Sequence, residues 1–191
     1  VDEIIRGNPS AHGAMIMLDM DGFKELNDSF GHAAGDQALQ DVVAVLRSYA
    51  HSGDLVCRLG GDEFLVWLRD IPYDAVIAKT ARQMCEHIRK AYSQDVQLSA
   101  SAGIAVYPRD GQSYDELYPN ADMALYRVKQ AGKGSYAFFS VTEEDQTPEL
   151  AEALSAVRQA PQSSRGPKRR ILIVDDNESS RIMLKGFFKD N

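Results

Sequence analysis

Two apolar runs meet at a glycine pair: Leu55 to Leu59 leads into Gly60-Gly61, and Phe64 to Leu68 follows the carboxylates Asp62 and Glu63. A Gly-Gly dipeptide between strand-like runs predicts a tight hairpin, because the favoured two-residue turns need positive φ. Taken alone, that is an ordinary hairpin with a solvated acidic tip. A second acidic cluster, Asp19-Met20-Asp21-Gly22, changes the reading. It follows Ala14 to Leu18, a continuous apolar run bounded by turn residues, as in a strand buried on both faces. Carboxylates at the ends of two strands can converge on a metal; a lone hairpin cannot.

The rest of the chain supplies partners for these strands. Asp19 to Asp36 reads as a loop with a short helical piece around Phe23 to Phe30, and helical spacing begins at Asp36 with Leu39, Val42, Val43 and Leu46. After the hairpin, Pro72 starts a helix whose stripe is Val76, Ile77, Thr80, Met84, Ile88 and Tyr92. Val96 to Tyr107 reads as a strand. Ser113 to Gln130 reads as a helix with Ser113 and Glu116 at capping-box positions, a broken first turn at Pro119 and Gly132 at its end. Tyr136 to Phe139 is a last short strand. The order β-α-β-β-α-β, then a helix and a strand, predicts an α+β domain over 1–140. Its central sheet is mainly antiparallel, with flanking helices, in a split βαβ arrangement.

Beyond it, 141–168 reads as a partly helical linker, rich in Pro, Ser and Gly towards its end. Residues 169–191 read as a new unit: a buried-strand run Ile171 to Val174, the acidic pair Asp175-Asp176, then a helix with Ile182, Met183, Phe187 and Phe188. A chain that opens on Val1 and closes on Asn191 is expected to be a fragment. The formal charge of −7 argues against a nucleic-acid polymer as partner. No apolar run approaches a membrane span. Cys57 and Cys85 lie in apolar-patterned segments, so both are expected to be reduced core thiols in a cytoplasmic protein.

Arg58 and Gly60-Gly61-Asp62-Glu63-Phe64 together are similar to the signature of the GGDEF family of diguanylate cyclases. Three further motifs agree over roughly 11–140. Asp19-Met-Asp-Gly-Phe-Lys-Glu-Leu-Asn-Asp28, with Gly31-His32 and Gly35-Asp36, resembles the family's D-x-D-x-F-K-x-x-N-D-x-x-G-H-x-x-G-D. Ser101 to Pro108 resembles its S-x-G-I-A strand. Ala121 to Tyr126, with Lys129, Gly132 and Lys133, resembles A-D-x-A-L-Y-x-A-K-x-x-G, except that Val128 replaces Ala.

The resemblance implies a fold like adenylate cyclases and polymerase palms. It also implies a Mg²⁺-dependent homodimer (Mn²⁺ is an alternative ion) that condenses two GTP into cyclic di-GMP and two pyrophosphates. Asp19 and Asp62 would hold the metal, with the Met20 carbonyl as a further ligand. Glu63 would assist the 3′-hydroxyl or a second metal, and Gly60 and Gly61 would let the nucleotide approach the backbone. Asn27 and Asp36 would read guanine. Lys24, Lys129 and Lys133 would grip phosphates, with the Phe23 backbone nearby. Competing structural readings make Asp21 and Asp28 loop-shaping residues, Lys129 and Lys133 a solvated helix end, and Trp67, Tyr107 and Tyr126 core or rim. His12, His32, His51 and His87 are scattered and carry no catalytic expectation.

Two departures from the family pattern matter. The R-x-x-D inhibitory product site is degenerate: His51 stands at the arginine position, with Asp54 retained. The D-x-L-T-G-L-x-N-R segment before the first strand is missing. Residues 169–191 resemble the first strand and helix of a response-regulator receiver domain, without its phosphoacceptor. A GTP-binding sensor module that does not catalyse is the alternative function, and a pure dimerisation scaffold the weaker one.

Overall fold

Strand β1 (Gly13–Asp21) sets the plan of the molecule. Ala14, Ile16, Leu18 and Met20 enter one core cluster, while Met15 and Met17 enter another. Successive strand side chains point to opposite faces, so a strand apolar at both parities must be covered on both sides. The structure is a computed structural model that describes residues 12–71, 73–92 and 98–140 and the backbone of 171–173.

The other strands are β2 (Leu55–Gly60), β3 (Glu63–Arg69), β4 (Ser99–Tyr107), β5 (Tyr136–Phe138) and β6 (Ile171–Ile173), and the sheet order is β5-β4-β1-β3-β2-β6. β1 pairs antiparallel with both β3 and β4, and β2 pairs antiparallel with β3. At the two edges β5 runs parallel to β4 and β6 parallel to β2. The helices are α1 (Phe23–Phe30), α2 (His32–Tyr49), α3 (Asp74–Ala91) and α4 (Tyr114–Ala131). One face of the sheet packs Leu26 of α1, Leu39, Val42 and Leu46 of α2, and Ile77, Met84 and Ile88 of α3. The other packs Leu117, Ala121 and Leu125 of α4. The molecule is an α+β domain with a mixed sheet and helices on both faces. Trp67 and Tyr107 are core residues and Tyr126 lies exposed. Both cysteines are buried thiols outside any disulfide, as their apolar surroundings predict.

Several local boundaries differ from the sequence reading. The short helical piece expected from Phe23 to Phe30 is α1, but the loop expected around it, from Asp19 to Asp36, is nearly all regular structure too. β1 runs on through Asp21, and α2 starts at His32, four residues before Asp36. Gly22 (φ 85) and Gly31 (φ 82) turn the chain sharply enough that no long loop is needed. The hairpin turn is Gly61-Asp62 rather than Gly60-Gly61: Gly60 pairs with Glu63 after a register shift beyond Arg58, and Gly61 takes the positive φ of 53.

Pro119 does not break α4, which is continuous from Tyr114. The buried stripe Leu117, Ala121, Ala124 and Leu125 holds the helix on the sheet despite one lost backbone bond. The expected capping box is replaced by a bond one residue earlier. Ser113 makes no side-chain cap bond, while the Gln112 N–H donates to Glu116 Oε2 at 2.7 Å. β4 begins at Ser99; residues 93–97 and Pro72 lie outside the described residues, as do 1–11, the linker helix and the helix expected after Val174.

Candidate functional site

Strand register brings the two acidic clusters together. Asp19 of β1 lies opposite Glu63 of β3, and the Met20 N–H donates to the Asp62 carbonyl at 3.2 Å. The hairpin tip is therefore fastened to the end of the central strand. Arg58 fixes the turn from within: its Nε and Nη2 both donate to the Gly61 carbonyl, at 2.9 and 2.7 Å. Arg58 is buried, so these charge-assisted bonds lie in a low dielectric. The motif glycines leave open space at the tip; a Cβ at Gly60 or Gly61 meets nothing within 4 Å.

Helix α4 completes this corner. Lys129 Nζ lies 2.7 Å from Asp19 Oδ2. Burial alone would lower the lysine pKa, but the hydrogen bond to Asp19 and the charges of Asp62 and Glu63 raise it above its ordinary value. Lys129 is thus tied by an ion pair to the end of β1 instead of standing as a solvated helix end. The carboxylates are under opposite stress. Desolvation raises Asp62, and the Asp19 charge adds to it; Glu63 is raised by desolvation, then by Asp19 and Asp62. More negative charge is gathered here than one ammonium offsets.

That excess is what a divalent cation relieves, and the hard oxygen donors suit Mg²⁺. The oxygen donors expected for such an ion, the Asp19 and Asp62 carboxylates and the Met20 carbonyl, come from the β1 end and the hairpin tip that register and the Met20 N–H bond bring together. Among the described residues, no group of three or more His, Cys, Asp or Glu side chains forms a metal centre by itself. The donors at this corner are few, as for an ion that also leans on substrate oxygens.

A second corner lies where α1 meets α2. The Asn27 side chain lies across Gly35: a Cβ there would fall 2.0 Å from Asn27 Oδ1. Asp36, half-buried, is the next residue of α2. The two expected base-reading residues are thus neighbours because a glycine lets the helices approach. Phe23 packs against the core, Lys24 and Asp28 are exposed on α1, and Lys133 is exposed in the turn after α4.

Two acidic residues turn inward to protein donors, Asp21 in keeping with its expected shaping role. Asp54 is spent internally: its Oδ2 accepts the His51 N–H at 2.7 Å and its Oδ1 accepts the Arg69 N–H at 2.8 Å. His51 Nδ1 stays 3.7 Å from the same carboxylate. Asp21 is buried and bonded to Ser99, Ser101 and the Gly134 N–H. The sequence signal for Asp21 was its parity, since it shares the α4 side of β1 with Met15, Met17 and Asp19. The role of Arg58 had no such signal beyond its place before the glycines.

A palm-like α+β sheet that joins an acidic hairpin tip to the acidic end of its central strand defines a class of nucleotide-handling domains. The chain belongs to the GGDEF family: the model described as diguanylate cyclase, GGDEF domain, matches residues 3–135. It is similar to the bifunctional diguanylate cyclase/cyclic di-GMP phosphodiesterase MucR of Pseudomonas aeruginosa, 40% identical over 152 residues, covering 77% of this chain and 22% of that protein. It is 36% identical to the diguanylate cyclase TpbB of the same species, covering 78% of this chain and 35% of the relative. The chain thus spans between a fifth and about a third of these relatives. The crystal structure of the TpbB GGDEF domain superposes with a TM-score of 0.67 at 32% identity, covering 74% of this chain and 91% of that one.

Proposed function

We propose that this chain is a diguanylate cyclase that condenses two GTP into cyclic di-GMP as a homodimer, with Mg²⁺ (or Mn²⁺). The observation that carries the reading is the convergence of Asp19, Met20, Asp62 and Glu63, held by strand register and countered by Lys129. Phosphoryl transfer needs in-line positioning and charge stabilisation far more than covalent help from the protein. A divalent ion held by Asp19, Asp62 and the Met20 carbonyl supplies charge neutralisation on the phosphates.

The protein's own groups position the substrate. Asn27 and Asp36 address guanine, an amide and a carboxylate against its carbonyl and N–H edge. Lys129, Lys133 and Lys24 meet phosphate oxygens, beside the Phe23 backbone. Gly60 and Gly61 leave room for the nucleotide. Glu63 is assigned to the 3′-hydroxyl, whose proton it accepts. That oxygen bonds to the α-phosphorus of the GTP on the other subunit, and the bond from that phosphorus to pyrophosphate breaks. The reciprocal step closes the ring, so two pyrophosphates leave.

The wider reading has 1–140 as the cyclase domain, 141–168 as a linker and 169–191 as the start of a receiver domain in a cytoplasmic signalling protein. No described helix is long and apolar enough to cross a membrane, which is compatible with that location. Asp54 is occupied by backbone donors and His51 replaces the expected arginine, so product inhibition at that site is expected to be weak or absent.

Incubating the chain with GTP and Mg²⁺ should yield cyclic di-GMP and pyrophosphate, and Asp62→Ala should abolish both. Product that persists in Asp62→Ala overturns the metal assignment. GTP binding without product in the unaltered chain moves the assignment to a silent sensor module.

A further inference from the structure

We propose that Asp21 is a positioning residue, a buried carboxylate that ties the turn carrying Lys133 to the end of the strand that carries Asp19. The inference rests on the nucleotide-site reading above and deepens it. Asp21 is the last residue of β1, only 7% exposed. Its Oδ2 accepts Ser99 Oγ–H at 2.9 Å, Ser101 Oγ–H at 2.9 Å and the Gly134 N–H at 3.1 Å; Oδ1 lies 3.0 Å from the Ser101 hydroxyl. The Gly134 N–H is shared with Ser101 Oγ, also at 3.1 Å. Ser101 is fully buried.

These donors come from two places far apart in sequence. Ser99 and Ser101 belong to β4, where they face Asp21 and Asp19 in register. Gly134 belongs to the turn that follows α4. In that turn Gly132, Lys133 and Gly134 have φ values of 122, 66 and 63. Lys133 carries a side chain in the left-handed region, where L residues other than Gly, Asn and Asp are uncommon. Its own N–H donates to the Val128 carbonyl at 3.1 Å, and the next N–H is the one Asp21 holds. The turn is therefore clamped on both sides of the lysine. Past it, the Ser135 carbonyl accepts the Ala102 N–H at 2.9 Å and the chain enters β5.

Asp21 turns its carboxylate to internal donors, so it is placed to hold geometry and not to bind substrate. Its consequence for the site is a fixed distance between two things. One is the strand end with Asp19 and Met20. The other is the end of α4, where Lys129 pairs with Asp19 and Lys133 stands exposed. A triphosphate reaching from the metal corner towards Lys133 depends on that distance; a nucleoside monophosphate does not.

The test measures binding by calorimetry in the full chain with Mg²⁺, using α,β-methylene GTP, in which the bond to be broken is replaced, and GMP. In Asp21→Asn the amide keeps the shape but cannot match the carboxylate's charge and accepting capacity. The expected result is about tenfold weaker binding of the triphosphate analogue, in the range seen when orienting partners are lost, with GMP affinity unchanged. Lys133→Met should weaken the analogue similarly, and adding Asp21→Asn to it should weaken it no further, since the two act through one contact. Ser99→Ala removes a single donor and should fall between wild type and Asp21→Asn, which guards against a variant that fails to fold. Unaltered analogue binding in folded Asp21→Asn, equal losses for GMP and the analogue, or fully additive losses with Lys133→Met would each overturn the positioning role. An unaltered chain that binds neither nucleotide sinks the functional reading instead.

Discussion

At the scale of single residues, the site holds charges that oppose the fold. Asp62 and Glu63 both have pKa values raised by desolvation and then by the Asp19 charge, and the Asp62 charge adds to the rise at Glu63. A carboxylate whose folded pKa lies above its unfolded value favours the fold most below the ordinary carboxylate range. That advantage disappears as pH rises through the raised value. At neutral pH in chelator, Asp62→Asn should therefore melt higher than the unaltered chain. Asp62 is partly exposed, so solvent screening holds the gain below about 1 kcal/mol, or about 2–4 °C for a chain of this size. The gap should close in acid. It should also narrow on adding Mg²⁺, which stabilises the chain able to bind it. Thermal melts in EDTA and in Mg²⁺ decide the matter; an Asp62→Asn variant no more stable than wild type in EDTA contradicts the repulsion. The same residues show the reach of sequence reading. Asp19, Asp62, Glu63 and Lys129 are joined in space as their motifs suggest. The function of Asp21 was hidden because its partners, Ser99, Ser101 and Gly134, lie 78 to 113 positions away.

At the scale of elements, glycines decide how closely the pieces that carry the site approach. α4 lies directly on β4 at Gly103, where a Cβ would fall 2.1 Å from the Ala121 carbonyl oxygen and 2.2 Å from the Leu125 nitrogen. α1 reaches α2 in the same way at Gly35, beneath the Asn27 amide. The second contact gives a sharper test than the first, because it displaces one side chain and not a helix. Gly35→Ala should leave the chain folded, since alanine is favoured over glycine within a helix by up to about 1 kcal/mol. It should push Asn27 out of position and erode the preference for GTP over ATP, read as the ratio of kcat/KM values. A retained preference would mean that Asn27 does not read the base from this position. Helices were legible here as stripes, and the starts of α1 at Phe23 and of α4 after Ser113 were legible too, but the start of α2 was not. Gly22 and Gly31 compress the expected loop into two turns, and nothing in the apolar spacing marks His32 as a first helical residue. The hairpin moved by one position for a related reason. The register shift beyond Arg58 lengthens β2 to Gly60, and Arg58 locks Gly61 as the turn residue. A side-chain bond to a carbonyl three residues ahead is invisible to any pattern of apolar residues.

At the scale of the whole molecule, the mainly antiparallel centre of the sheet was legible because the βαββαβ order leaves few alternatives. Its parallel edges, β5 on β4 and β6 on β2, were not, since three-residue strands carry almost no pattern. The sheet separates two functions that the family pattern places close together along the chain. The candidate catalytic corner lies at the β1 end and the β2–β3 tip, whereas Asp54 lies at the other end of the same hairpin, bonded to His51 and Arg69. Freeing Asp54 for a ligand means breaking both backbone bonds inside a buried pocket, since its side chain is 2% exposed. Loss of a bond to a charged group costs about 1.5–3 kcal/mol. A protonated histidine supplies less than a guanidinium does towards that cost, with neither its permanent charge nor its paired donors. Cyclic di-GMP added at the concentration reached on full conversion of GTP should therefore compete only at the active site. Initial-rate measurements should show a higher apparent KM for GTP with kcat unchanged. A fall in kcat that survives saturating GTP, and that disappears in Asp54→Asn, would show that the carboxylate is released to bind product after all.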